Sequence, residues 1–331
     1  MVIAMKTMIR SLGLRGLLLG MFFTPALAQE EAEDFGWEVK RIGELDYISM
    51  EQLASFYGFG DVKRVGSDLL LETDKMKAKF TVATEDFQIN RMNLTLEQQI
   101  VEADGGAFIS RSDLVRFIDP ILRPDSIKNA TDFKTVILDP AFGGEDPGMV
   151  GALGTAAQHT LRIADRCRED LEKMGFKVVM TRHDDRIVSA EERVALANAV
   201  EEPAIFISIT LRTQAEDPAG LGTSALLTAY DKIAAEGEGV SHASVALGVA
   251  VHGSVTVRLG ANSKDLGLRG ERESALAGVR HPGVVVGVAN LAADYDERLV
   301  ANDKFIGAVA HGVSNGVKRY QMAVTRRKLV R

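Results

Sequence analysis

The sequence predicts a layered α/β domain, a mostly parallel sheet flanked by helices, preceded by a small, β-rich α+β module. Three observations carry this expectation. From Thr135 onward, short apolar runs alternate with longer segments of helical spacing. Residues 36–126 instead hold several short strand-like runs separated by turn residues. Finally, the 331 residues are 46% hydrophobic with only 8 prolines. That is enough apolar surface for one large core or two ordinary ones, and it excludes a disordered or collagen-like chain.

The first 28 residues read as an export signal rather than as part of the fold. Lys6, Arg10 and Arg15 form a basic front without acidic residues, and Leu17 to Phe23 is an apolar core broken by Gly20. Pro25 leads into Ala26-Leu27-Ala28, a small-residue cleavage pattern, followed by Gln29-Glu30-Glu31. This core is shorter than the roughly 20 residues a spanning helix needs. The expectation is a secreted or periplasmic protein with no stable membrane span after cleavage; an uncleaved anchor is the alternative. With 39 Lys and Arg against 46 Asp and Glu, the net charge of −7 argues against nonspecific nucleic-acid binding. A single cysteine, Cys167, excludes an internal disulfide and any Cys-rich zinc module.

The module at 36–126 contains an internal repeat. Ile48-Ser49 followed by Leu53 and Phe56 recurs 61 residues later as Ile109-Ser110 followed by Leu114 and Phe117. Each copy reads as a short helix capped by its serine. Strand-like runs lie between them at 68–72, 76–82 and 87–92, and Asp104-Gly105-Gly106 marks a turn. The segment resembles the stalk-type module named after the N-terminus of copper amine oxidases. That resemblance implies tethering or recognition, not copper chemistry, because no histidine precedes His159. Residues 127–133 read as a linker.

The second domain is expected over 134–321, with a basic tail at 322–331. It opens on a β-branched run, Thr135 to Leu138, stopped by Pro140. A helix follows from about Ala156 to Met174, with Leu161, Ala164, Cys167 and Leu171 on one side and Gly175 closing it. Lys177 to Thr181 is the second strand. Ser189 and Glu192 form a capping box for a helix to Val200. Strands are then expected at 205–209, 224–228 and 284–288, and helices at 241–252 and 303–320. In such sheets, sites form just beyond the strand ends.

The motifs of this domain resemble those of the zinc-dependent N-acetylmuramoyl-L-alanine amidases. Asp139-Pro140-Ala141-Phe142-Gly143-Gly144 stands where that family opens with Asp-Pro-Gly-His-Gly-Gly. Thr181-Arg182, Asp185, Ser189, Glu192-Arg193 and Ala197-Asn198 match the family's middle pattern. Asp265 and Gly267 fit the loop before the last strand, and Pro282 opens that strand.

The resemblance also implies which residues should bind zinc and act as general base. The corresponding positions are Phe142, Ala156 and Thr210 for the metal, and Gly287 for the base. A catalytic zinc takes three protein ligands and keeps one position for water. Phe and Ala offer no lone pair, a neutral Thr hydroxyl is a poor ligand, and Gly has no side chain. The expectation is therefore no zinc cofactor and no catalytic residue: a pseudoamidase that binds peptidoglycan fragments, muropeptides or an envelope protein. The alternative is an active peptidoglycan amidase with a relocated metal site, for which Asp139, Glu145, Asp146 and His159 are the nearest candidates.

Asp139, Glu145, His159 and Arg212 are the candidate cleft residues. Arg212 either faces the former substrate groove or pairs with Glu216 or Asp217. Gly312-Val313-Ser314-Asn315-Gly316 fits the G-x-S-x-G pattern, but the preceding residues have helical spacing, so a nucleophile elbow is not expected.

Overall fold

The computed structural model describes residues 36–127, 130, 132–212, 224–231, 238–260, 263–271, 275–291 and 294–325. The expected export signal lies outside them, as do Glu216 and Asp217.

The chain begins with strands β1 (Lys40–Ile42) and β2 (Leu45–Ser49) and helix α1 (Met50–Phe56). The Ser49 hydroxyl accepts the Gln52 N–H at 3.1 Å and so caps α1. A meander follows: β3 (Lys63–Val65), β4 (Asp68–Glu72), β5 (Lys77–Thr81), β6 (Asp86–Ile89) and β7 (Met92–Thr95). Next come β8 (Val101–Ala103), β9 (Gly106–Ser110), α2 (Arg111–Asp113), a π-helical turn at Leu114–Ile118 and α3 (Asp119–Leu122). Ser110 caps its helix as Ser49 does, accepting the Asp113 N–H at 3.0 Å. The two copies of the repeat are neighbours in space, for β2 pairs with β9 with Ile48 opposite Ile109. They close a four-stranded sheet, β1-β2-β9-β8.

The strand expected at 87–92 is a hairpin instead. Asn90 and Arg91 take positive φ values of 49° and 71°, the geometry of a two-residue I′ turn, and divide the run into β6 and β7. Asn, which tolerates this conformation, is the residue that could have signalled the turn.

The second part comprises β10 (Thr135–Pro140), α4 (Ala156–Lys173), β11 (Lys177–Met180), α5 (Ala190–Asn198), β12 (Ala204–Arg212), β13 (Ser224–Asp231) and α6 (Glu238–Leu259). It ends with β14 (Ser263–Glu271), β15 (Gly283–Asn290), α7 (Asp294–Val300) and α8 (Asp303–Thr325), the last reaching into the segment expected as a tail. Strands β11, β10, β12 and β15 are parallel neighbours, and β10 and β15 are buried along their whole length. This is the doubly covered sheet expected from uninterrupted apolar strands. Strand β13 runs antiparallel to β15 and parallel to β14.

Strand β14 corrects the expected loop around Asp265 and Gly267. Its nine residues include no β-branched side chain and two glycines, so nothing local marks a strand. The conformation comes from its neighbours: β13 pairs along one side, and β7 touches the other where Leu268 lies opposite Leu94. Through β14 the sheet continues from β11 to β3, eleven strands among the described residues. Phe80, Phe87, Phe117 and Tyr230 form a chain of ring contacts with centroids 5.1, 5.7 and 5.6 Å apart, running from the first module to β13. Ile127 and Phe133, at the ends of the expected linker, are both buried.

Helices α6 and α8 cross closely. A Cβ at Gly312 would lie 2.8 Å from Val255 Cα, and one at Gly316 only 2.5 Å from Val251 Cα. The G-x-S-x-G run is therefore a small-residue contact inside α8, with Ser314 fully buried, and no strand feeds it. Among the described residues no helix is long and apolar enough to cross a membrane.

Candidate functional site

The four positions singled out in the sequence fall into two pairs, Phe142 with Ala156 after β10 and Thr210 with Gly287 on β12 and β15. Phe142 lies in the loop after β10, and Ala156 is the first residue of α4, capped by a reciprocal Thr155–Gln158 box with both hydrogen bonds at 3.1 Å. Thr210, near the end of β12, pairs directly with Gly287 on β15. The loop is pinned to β12, since the Ala141 N–H donates to the Ile209 carbonyl at 3.0 Å.

Beneath this loop lies a buried polar network built from the matched motif residues. Asp139 is 1% exposed and its carboxylate is fully used. Arg193 Nη1 and Thr181 Oγ1 donate to Oδ1 at 2.5 and 2.6 Å, and Ser208 Oγ donates to Oδ2 at 2.8 Å. Arg193 also donates to the carbonyls of Pro140, Phe142 and Val188. Arg182, fully buried, donates to the carbonyls of Pro140, Ala141, Ala157 and Asp184 and to the Thr160 hydroxyl. Burial, and then the nearby Arg193 charge, draw the Arg182 pKa below its ordinary value. Two guanidiniums thus fix the loop backbone, donating to carbonyls of the loop and of the ends of β10 and α4 that flank it.

The loop they hold is strained at one residue. Phe142 takes a φ of 65°, a conformation that a bulky side chain adopts at a cost of about 1–3 kcal/mol. Arg193 Nη2 grips its carbonyl at 2.8 Å. The ring closes down on Gly148, where a Cβ would meet Phe142 Cγ at 2.9 Å and the Ala156 methyl at 2.8 Å. Phe142 and Ala156 therefore line an apolar, closely packed spot.

These residues do not fit a zinc ion. An aromatic ring and a methyl group stand at two of the ligand positions, and Thr210 uses its hydroxyl only in a long 3.4 Å contact to the Leu211 carbonyl. Among the described residues no three His, Cys, Asp or Glu side chains gather closely enough to hold a metal ion.

The other candidate residues are dispersed. Glu145 is exposed on the loop. Asp146 turns back to accept the Gly148 N–H at 3.1 Å. Arg212 is half-buried at the end of β12, and its carbonyl accepts the Leu291 N–H at 3.1 Å. His159 is 1% exposed and lies close to Gly154, where a Cβ would sit 2.9 Å from its Nε2. Glu297 of α7, which the sequence reading missed, supports the adjacent Leu153 by accepting its N–H at 2.5 Å.

Burial first, and the Arg162 charge second, hold the His159 pKa below its ordinary value of 6.5, against the opposing pull of Glu297 and of the Val300 backbone. The unfolded chain therefore takes up this proton first, so stability declines as pH falls through the unfolded value. His281 adds a contribution of the same sign, its pKa lowered mainly by burial. Urea midpoints taken at about pH 7.5 and pH 6 should fall in the wild type and fall less in His159→Phe. Equal declines would remove His159 from this account.

With the geometry in place, comparison with known proteins gives a consistent answer. The profile of the N-acetylmuramoyl-L-alanine amidase family matches residues 136–319. The amidase AmiC of Neisseria meningitidis serogroup B is 39% identical over 75 residues, 22% of this chain and 18% of that protein. AmiC of Escherichia coli O6:H1 is 36% identical over 124 residues, 36% of this chain and 30% of that protein. The chain thus spans less than a third of the curated relatives it matches here. The crystal structure of an N-acetylmuramoyl-L-alanine amidase from Clostridium difficile 630 superposes with a TM-score of 0.50 at 24% identity, covering 57% of this chain and 97% of that one. That likeness is one of fold. The chain belongs to the N-acetylmuramoyl-L-alanine amidase family.

Proposed function

We propose that this chain keeps the amidase scaffold without its hydrolysis. In this reading it is exported and acts by binding, either to peptidoglycan fragments or to a protein of the envelope. The observation that carries the reading is the set of side chains at 142, 156, 210 and 287: Phe, Ala, Thr and Gly, at the strand ends where the family's chemistry would sit. Without a bound metal, water is not acidified toward neutral pH, and amide hydrolysis loses its nucleophile. Family membership supports the peptidoglycan half of the proposal, since the relatives are named for the N-acetylmuramoyl-L-alanine linkage they act on.

Incubating the mature protein with soluble muropeptides, with and without added zinc, tests this directly. No free stem peptide should be released by the wild type. Phe142→His should not rescue release, because one imidazole cannot complete a three-ligand site. Release by the wild type that a chelator abolishes would overturn the proposal.

A further inference from the structure

The seam where β7 meets β14 carries a cavity of about 440 Å³, distant in sequence from the strand ends described above. Its floor is the outward face of the meander, and the period-2 alternation of the strands explains its character. Ala78, Phe80, Phe87, Ile89 and Leu94 turn into the core, which leaves Lys79, Thr81, Asp86, Gln88, Asn93 and Thr95 on the other side.

Most polar groups in this cavity are already used. The Asp265 carboxylate accepts the Asn93 and Gly267 N–H groups at 2.9 and 2.7 Å and lies 2.8 Å from His252 Nε2. Lys79 pairs with Asp68 at 3.5 Å. The Gln88 amide donates to Asn93 Oδ1 at 2.8 Å, and the Asn93 amide donates to the Asp265 carbonyl at 3.2 Å. Two exposed charges of opposite sign, Asp86 on β6 and Arg269 on β14, have no side-chain partner among the described residues.

Their separation is set by the sheet. Asp86 lies opposite Thr95 on β7, and Leu94 lies opposite Leu268, which places Arg269 beside Thr95 on the next strand. Two strand spacings of about 4.8 Å put the Asp86 and Arg269 backbones about 10 Å apart. An extended peptide spans about 3.3–3.6 Å per residue, so about three residues match the spacing of the strands that carry the two side chains. A second cavity of about 360 Å³ shares Thr95 and Arg269 and is lined by Phe117 and Tyr230 together with Glu97, Gln98 and Asp113.

We propose that this seam binds a short zwitterionic peptide of about three residues, its free amino group at Asp86 and its free carboxylate on the Arg269 guanidinium. A guanidinium meets a carboxylate through two parallel hydrogen bonds. The Gln88 carbonyl and the Thr95 hydroxyl meet the peptide's own amide groups. A simple anion would leave Asp86 repelling it, and a simple cation would leave Arg269 doing the same. The paired signs select a ligand that carries both.

Calorimetric titration of the mature wild-type protein with trialanine, N-acetyl-trialanine and trialanine amide tests the proposal. Trialanine should bind, and capping either end should weaken binding about tenfold or more. In Asp86→Asn the acetylated and free peptides should bind alike. In Arg269→Gln the amidated and free peptides should bind alike. No binding of trialanine at millimolar concentration, or equal binding of all three peptides by the wild type, would overturn the proposal. So would binding of the acetylated peptide as tight as that of the free one, which would make the seam a plain anion site. The three-peptide comparison needs no variant, so it decides even if one substitution disturbs folding.

Discussion

Replacing Arg193 by Ala should lower the stability of the chain by about 3–5 kcal/mol in urea denaturation. The substitution removes the 2.5 Å contact to Asp139, whose carboxylate is 1% exposed, and leaves that charge with two hydroxyl donors only. It also strips the donors from the Pro140, Phe142 and Val188 carbonyls. The loss is large because a buried charge is left without its counter-ion, not because the pair itself is worth that much. Asp139→Asn keeps a hydrogen-bonding side chain but leaves the buried Arg193 guanidinium without its counter-ion, so it too should destabilise the chain. A loss below about 1 kcal/mol for Arg193→Ala, the range of exposed ion pairs, would contradict the keystone role.

The second large effect is expected at the crossing of α6 and α8. Gly316→Ala should destabilise by about 1–3 kcal/mol, despite a gain in helix propensity of about 1 kcal/mol for Gly to Ala. The added methyl would sit 2.5 Å from Val251 Cα and 2.8 Å from the Ala250 carbonyl oxygen. Both are backbone atoms, so no rotamer change clears the way and α8 must move off α6. Gly307, on the same helix, has nothing within 4 Å of its would-be Cβ. Gly307→Ala should therefore stabilise the protein by up to about 1 kcal/mol through propensity alone. Opposite signs for the two substitutions identify packing as the cause; equal signs would remove it.

Much of the fold could be read from residue patterns. The apolar runs of β10, β12 and β15 announce a buried parallel sheet, and the capping residues Ser49, Ser110 and Ser189 each sit at the helix start they signalled. What escaped the sequence was structure imposed from a distance. Strand β14 has no strand-forming residues of its own and exists because β13 and β7 hold it. Helix α6 runs past His252 to Leu259 through Gly253, a residue that reads locally as a stop. The seam cavity follows from β14 and was invisible for the same reason.

The candidate site divides in a similar way. Residue identities at Phe142, Ala156, Thr210 and Gly287 stand in the sequence, and the chemistry they cannot perform follows from those identities alone. The motif also marks Asp139, Arg182 and Arg193, but not the direction of their side chains. Asp139 spends both oxygens on the interior, and the two arginines hold a loop rather than a ligand. Likewise, no local signal shows that Phe142 occupies a left-handed backbone conformation, because Arg193 and the packing at Gly148 impose it.

The central claim is that the scaffold holds no amidase metal centre. Elemental analysis of the purified protein after mild dialysis tests it most directly, because the metal is counted whatever substrate is chosen. No stoichiometric zinc is expected; about one zinc per chain, held through dialysis, would mean that other side chains complete a metal site, and would contradict the claim.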